Sequence, residues 1–200
     1  ARDIDKLSNL SGQIGAKLYT CDTVDVGDVK KLFDSVVADL GVPSLVVFNA
    51  SSRVRGAITE IDPEEVKNAV LTTSYGGFLV GQEAAKLMVP AGSGTICFTG
   101  ASAGVKGFPM SATFAMGKFG LRGLAQSMAR ELHPQNIHVV HVVVDGGIRS
   151  GDRGRNETEE EAPDKWLDPD AIADTYWHLH IQHRSSWSWE IEVRPWVEKF

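Results

Sequence analysis

Phe114 and Lys118 stand four residues apart in Ser111-Ala112-Thr113-Phe114-Ala115-Met116-Gly117-Lys118, a spacing that puts both on one face of a helix and in reach of one ligand. The frame is that of a Tyr-x-x-x-Lys pair, in which a phenol is the general acid. A phenyl ring carries no proton, so position 114 cannot do that work. Ser102, Thr73 and Asp145 are the remaining groups that could bring a proton near a ligand beside Lys118.

These residues must be positioned by the elements around them. Apolar strand-like runs occur at Ala16 to Thr20, Ser44 to Phe48, Thr95 to Thr99, Ile137 to Val144 and Ser188 to Val193, with helical patterns between them. Continuous apolar strands such as Leu45-Val46-Val47-Phe48 alternating with amphipathic helices predict a parallel sheet covered on both faces, a doubly wound α/β domain. Asp62-Pro63-Glu64-Glu65 and Asp168-Pro169-Asp170 are helix starts, with a capping Asp and Pro at the first helical position. Pro90 is expected to close the helix that Asp62 opens. In such a sheet, ligands bind beyond the carboxyl ends of the strands. Cys21-Asp22, Asn49-Ala50-Ser51, Gly100-Ala101-Ser102-Ala103-Gly104 and Asp145-Gly146-Gly147-Ile148 follow strand-like runs in this way. Gly117, Gly120 and Gly123 each weaken the helix carrying Lys118 by up to about 1 kcal/mol against Ala. Their spacing predicts close approach of another helix or of a ligand.

Composition narrows the function. The chain has 200 residues, 42% of them hydrophobic, enough for one domain over residues 1–200 without a second. A net charge of -6 with no basic run argues against nucleic acid as a partner. Cys21 and Cys97 are too few for a disulfide scaffold and read as buried thiols of a reducing compartment. No apolar stretch reaches the roughly 20 residues of a membrane helix, and the first residues lack a signal-peptide core, so the expected setting is cytoplasmic. His138 and His141 lie three apart on a strand and face opposite ways. His178, His180 and His183 share no i, i+4 face, so no metal site is expected. The Glu157, Glu159, Glu160, Glu161 run reads as solvated. Trp177, Trp187, Trp189 and Trp196 read as core packing or a subunit contact, ahead of substrate stacking.

Taken together, Asp22 in Cys-Asp-Thr-Val-Asp, Asn49-Ala50-Ser51, the strand and loop from Gly94 to Gly104, the helix with Lys118, and Asp145-Gly146-Gly147-Ile148-Arg149-Ser150 resemble the short-chain dehydrogenase/reductase family over essentially the whole chain. The resemblance implies a Rossmann-like single domain and NAD(P)(H)-dependent oxidoreduction of a small carbonyl or alcohol. It assigns Asp22 to the adenine edge, Asn49, Ala50 and Ser51 to the adenosine side, and Lys118 to the nicotinamide ribose. Gly146, Gly147 and Ile148 would adjoin the nicotinamide amide. Arg2 resembles the arginine that pairs with the 2′-phosphate of NADP, which favours NADP over NAD; its other reading is a solvated terminal charge.

The departures are as telling. The family's Ser falls on Ala101, with Ser102 beside it; its Tyr falls on Phe114; its Asn falls on Thr73. Only Lys118 of the usual four remains, so the alternative reading is a catalytically silent cofactor-binding or structural subunit. The family's opening strand, Gly-rich turn and helix have no counterpart here, which leads to the expectation of an N-terminally incomplete domain lacking its first strand-turn-helix. A homodimer or homotetramer is also implied, through the helices Asp62 to Val89 and Ala112 to His133, with Val66, Val70, Leu124 and Met128 at helical spacing.

Overall fold

The computed structural model describes residues 1–156, 158 and 163–199, with Asp152 described by its backbone alone. The Glu157, Glu159, Glu160, Glu161 run therefore lies outside the described residues. Among those described, a four-stranded sheet has the order β1 (Leu45–Phe48), β2 (Gly94–Thr99), β3 (Ile137–Val144), β4 (Glu190–Val193). Every pairing is parallel, with Val47 opposite Cys97 and Phe98 opposite His141.

Parallel strands need crossovers, and helices supply them on both faces. Alternation along β2 and β3 sends Ile96, Phe98, Ile137 and Val139 into one core with α2 (Val26–Leu40), α4 (Gly76–Ala91) and α5 (Ala112–Leu132). Cys97, Val140 and Val142 face the other way, onto Tyr176 and Leu179 of α6 (Pro169–His180). A short helix, α1 (Ser8–Ile14), precedes these, and α3 (Pro63–Val70) comes before α4. The doubly wound α/β architecture is thus observed. His138 and His141 face opposite ways: His138 meets the carbonyls of Leu179 and Ser188, whereas His141 Nδ1 lies 2.9 Å from Glu190.

Four expectations need correction. Ala16 to Thr20 is not a strand, because a strand needs a ladder partner and this segment has none among the described residues: its backbone bonds go to single residues, the Ala1 amine donating to Tyr19 O at 3.1 Å and Ala16 N donating to Ser11 O at 3.2 Å. The single helix expected from Asp62 to Pro90 is two helices joined by a π turn at Leu71–Tyr75. Pro90 does not stop α4, which runs to Ala91 and ends on left-handed Gly92 (φ 75°). The last strand begins at Glu190, not Ser188. The Trp residues divide: Trp187 stacks on His138 at 4.6 Å, but Trp177 and Trp196 are exposed.

β1 has no strand on its outer side among the described residues, and an apolar groove flanks each of its faces. One, of about 410 Å³, lies against α6; the other, of about 360 Å³, lies against Phe33 and Val36 of α2.

The glycines of α5 do what close packing requires. A Cβ on Gly117 would come within 2.9 Å of Thr73 Cβ, and one on Gly120 within 2.5 Å of Ser74 Oγ; Gly123 has open space. The helix therefore lies directly on the π turn, and Ser74 donates to Gly117 O at 2.7 Å. Gly117→Ala should lower stability by about 1–3 kcal/mol in urea denaturation, since α5 must lift off the turn. The opposite sign, the usual gain of Ala over Gly in a helix, would contradict this packing.

Candidate active site

The π turn puts Thr73 in the interior, 1% exposed, where its Oγ1 accepts a hydrogen bond from Ser52 N at 3.1 Å. It thereby ties the loop after β1 to the α3–α4 junction. Such π turns recur at functional sites because the extra residue displaces one side chain from the helical register.

On α5, Lys118 is 3% exposed and donates from Nζ to Thr99 O at 2.6 Å. Burial pushes its pKa down to about 8. Phe114, one turn earlier, has the Lys118 ammonium 5.7 Å from its ring centre and the Arg53 guanidinium 5.1 Å from it. The ring at the expected acid position is thus flanked by two cations. Gly104 closes the arrangement, since a Cβ there would lie 3.2 Å from Lys118 O.

Phe114 and Ser102 line a pocket of about 510 Å³ with Gly146 and Gly147. Ala101 and Lys118 do not line it. Ala101 is extended (φ -162°, ψ 168°) just before the short turn Ser102–Gly104. Among the described residues the hydroxyl-bearing residues on the pocket wall are Ser102 and Ser111. Asp145 also borders the pocket, but its carboxylate is committed to Lys106 at 3.3 Å and Arg194 at 3.0 Å.

The remaining predicted positions gather elsewhere. Asn49 and Ile148 line the groove against α6, together with Thr99, whose Oγ1 lies 2.7 Å from Tyr176 OH. Ala50 packs on the core edge beside β1, and Ser51 is exposed. Asp22 accepts from Val24 N at 3.2 Å in a local turn. Arg2 is exposed and is held near Asp22 by the hydrogen bonds joining Ala1 to Tyr19 and Cys21. Thr99, Tyr176 and the pocket cations Arg53, Arg55, Lys106 and Arg155 were not singled out by sequence. The one signal was Arg53-Val54-Arg55 directly after the Asn49-Ala50-Ser51 strand end.

The residues suit the two ends of a dinucleotide. The backbone of Ala1 is bonded to Tyr19 and Cys21, the neighbours of Arg2 and Asp22 in sequence, and Thr99, which holds the Lys118 ammonium, faces the groove shared by Asn49 and Ile148. The centre of such a cofactor is less well served. The N-termini of α2, α3 and α6 are capped by Asp25, Asp62 and Asp168, carboxylates where a pyrophosphate would need backbone N–H groups.

Among the described residues no cluster of His, Cys, Asp and Glu could hold a metal ion, and no helix is long and apolar enough to cross a membrane.

A parallel doubly wound sheet with a Lys-bearing helix beside a strand-end pocket defines a Rossmann-like oxidoreductase class. The family model described as enoyl-(acyl carrier protein) reductase matches residues 1–187, and the chain belongs to the short-chain dehydrogenase/reductase family. It is 28% identical to a sepiapterin reductase of Chlorobaculum tepidum, over 98% of this chain and 80% of that protein. Oxidoreductase asL5 of Sarocladium schorii is 30% identical over 68% of this chain, which spans 55% of that protein. A short-chain dehydrogenase structure from Rhodopseudomonas palustris superimposes with a TM-score of 0.82 at 33% identity, covering 98% of this chain and 84% of that one. A metagenomic short-chain oxidoreductase solved in complex with NADP gives 0.82 at 26% identity, covering 98% and 83%.

Lys118 generates a pH-dependent prediction. Its shift from 10.5 to about 8 corresponds to roughly 3 kcal/mol of instability at neutral pH, because the unfolded chain holds the proton more tightly. Lys118→Met also removes the bond to Thr99 O, offsetting about 1 kcal/mol. The variant should be about 1–2 kcal/mol more stable than the parent at pH 7, and the gain should fade as pH rises from 8 through 10.5. Denaturation curves across pH 6–10 measure both the gain and its slope.

Proposed function

We propose that the protein is a nicotinamide-dependent oxidoreductase of a small carbonyl or alcohol whose catalytic tetrad is reduced to its lysine. The observation that carries this reading is Lys118, buried on Thr99 O behind the wall where Phe114 and Ser102 face the pocket. When bound, the nicotinamide would supply or accept the hydride. Lys118 would orient the ribose hydroxyls, Gly146, Gly147 and Ile148 would flank the ring, and Asn49, Ala50 and Ser51 would adjoin the adenosine. Arg2 beside Asp22 supports NADP over NAD, since a guanidinium fork suits a phosphate.

Ser102, on the pocket wall after β2, would hold the substrate oxygen. Ala101 and Phe114 carry no hydroxyl, and a missing positioned acid costs on the order of 10²- to 10⁴-fold in rate. A second reading, a silent cofactor-binding or structural subunit, is favoured by the same two residues. The cytoplasmic setting rests on the two free, buried thiols Cys21 and Cys97.

Phe114→Tyr should raise NADPH-dependent carbonyl reduction, and adding Ser102→Ala should remove that gain by about tenfold or more, because hydroxyls acting on one oxygen work as a unit. A parent protein that already turns over at an ordinary rate, insensitive to Lys118→Met, would overturn the reduced-tetrad reading. Assembly is proposed through α4 and α5, where Phe78 and Phe119 are 41% and 44% exposed. Sedimentation at micromolar concentration should show a dimer or tetramer; a strictly monomeric profile rejects it.

A further inference from the structure

The chain is acidic overall, yet among the described residues the pocket beside Phe114 is walled by Arg53, Arg55, Lys106 and Arg155, with Asp145 and Glu198 as its acids. Asp145 brings no free negative charge, since its side chain is 5% exposed and paired with both Lys106 and Arg194. Arg53 and Arg55 form no ion pair with any described residue, and Arg53 instead lies over the Phe114 ring at 5.1 Å. Ser111, the residue before α5, lines the same pocket and makes no side-chain cap. Phe108 and Phe114 give the pocket an apolar flank.

We propose that this pocket selects a small organic anion, its carboxylate or phosphate on Arg53 and Arg55 and its apolar body against Phe108 and Phe114. The assignment of that anion as substrate rests on the oxidoreductase reading above; the binding site itself does not. A cavity with unpaired guanidinium groups and little competing acid concentrates anions, and Arg binds carboxylate or phosphate in bidentate geometry. A neutral carbonyl compound would leave those charges without a partner.

The test titrates benzoate, phenyl phosphate and the neutral isostere benzamide into the protein by calorimetry, with and without saturating NADP. At least one of the two acids should bind about tenfold or more tightly than benzamide. Arg53→Gln and Arg55→Gln should each weaken that acid by about tenfold and leave benzamide unchanged. Both arginines are exposed, so the variants should keep the parent's circular dichroism and melting curve. Preference for benzoate or for phenyl phosphate identifies the head group. The inference is overturned if benzamide binds as well as the acids, if folded variants bind the acids undiminished, or if NADP expels the acids, which would give the arginines to the cofactor's phosphates. Acid binding without any NADP binding would instead sink the oxidoreductase reading and leave the anion site standing.

Discussion

The site depends on how closely α5 lies on the π turn. There is no room for a Cβ at Gly117 against Thr73, and Ser74 bonds to Gly117 O, so the helix is fixed in both translation and rotation at that point. Lys118 is the next residue. Its ammonium reaches Thr99 O at the end of β2, and Gly104 rests on its carbonyl. The π turn, the helix and the loop after β2 are therefore one packed unit. A displacement at position 117 moves Phe114 and Lys118 together, because protein interiors pack at crystal-like density and transmit strain.

Much of the sheet was legible because parallel strands buried on both faces are apolar throughout. Ile137 to Val144 is bounded in the fold as its apolar run suggests, with His138 and His141 on opposite sides. Ala16 to Thr20 also has an apolar share, but a strand is a relation between segments, and among the described residues only scattered bonds to Ala1 and Ser11 meet its backbone. The π turn was hidden for another reason. One extra residue in a long helical pattern barely disturbs a 3.6-residue period, and nothing in Leu71-Thr72-Thr73-Ser74-Tyr75 marks it.

The same contrast holds in the site. Phe114 and Lys118 were legible because helical spacing alone makes them neighbours. Arg53, Arg55, Lys106 and Arg155 come from three separate connections, and each read alone is an ordinary solvated charge. Only the return of these connections to the carboxyl ends of the strands brings them to one cavity. Ser102 shows the reverse case: alignment put the hydroxyl position on Ala101, while the turn after β2 presents the neighbouring side chain to the pocket.

The chemistry left to Lys118 follows from opposing terms. Burial disfavours its charge by enough to bring the pKa to about 8, and among the described residues the polar partner of Nζ is the neutral carbonyl of Thr99. The Phe114 ring face, 5.7 Å away, returns about 0.5–1 kcal/mol at most, well short of the desolvation cost. A phenol in that place would add an acid whose anion the ammonium could stabilise; a phenyl ring adds none. The lysine is therefore kept at an energetic loss that no charge partner in contact among the described residues offsets, which is what the proposed ribose-binding role would require. In the proposed role the two donors not given to Thr99 O would meet ribose hydroxyls, whereas a proton relay would need the two side chains that Ala101 and Phe114 lack.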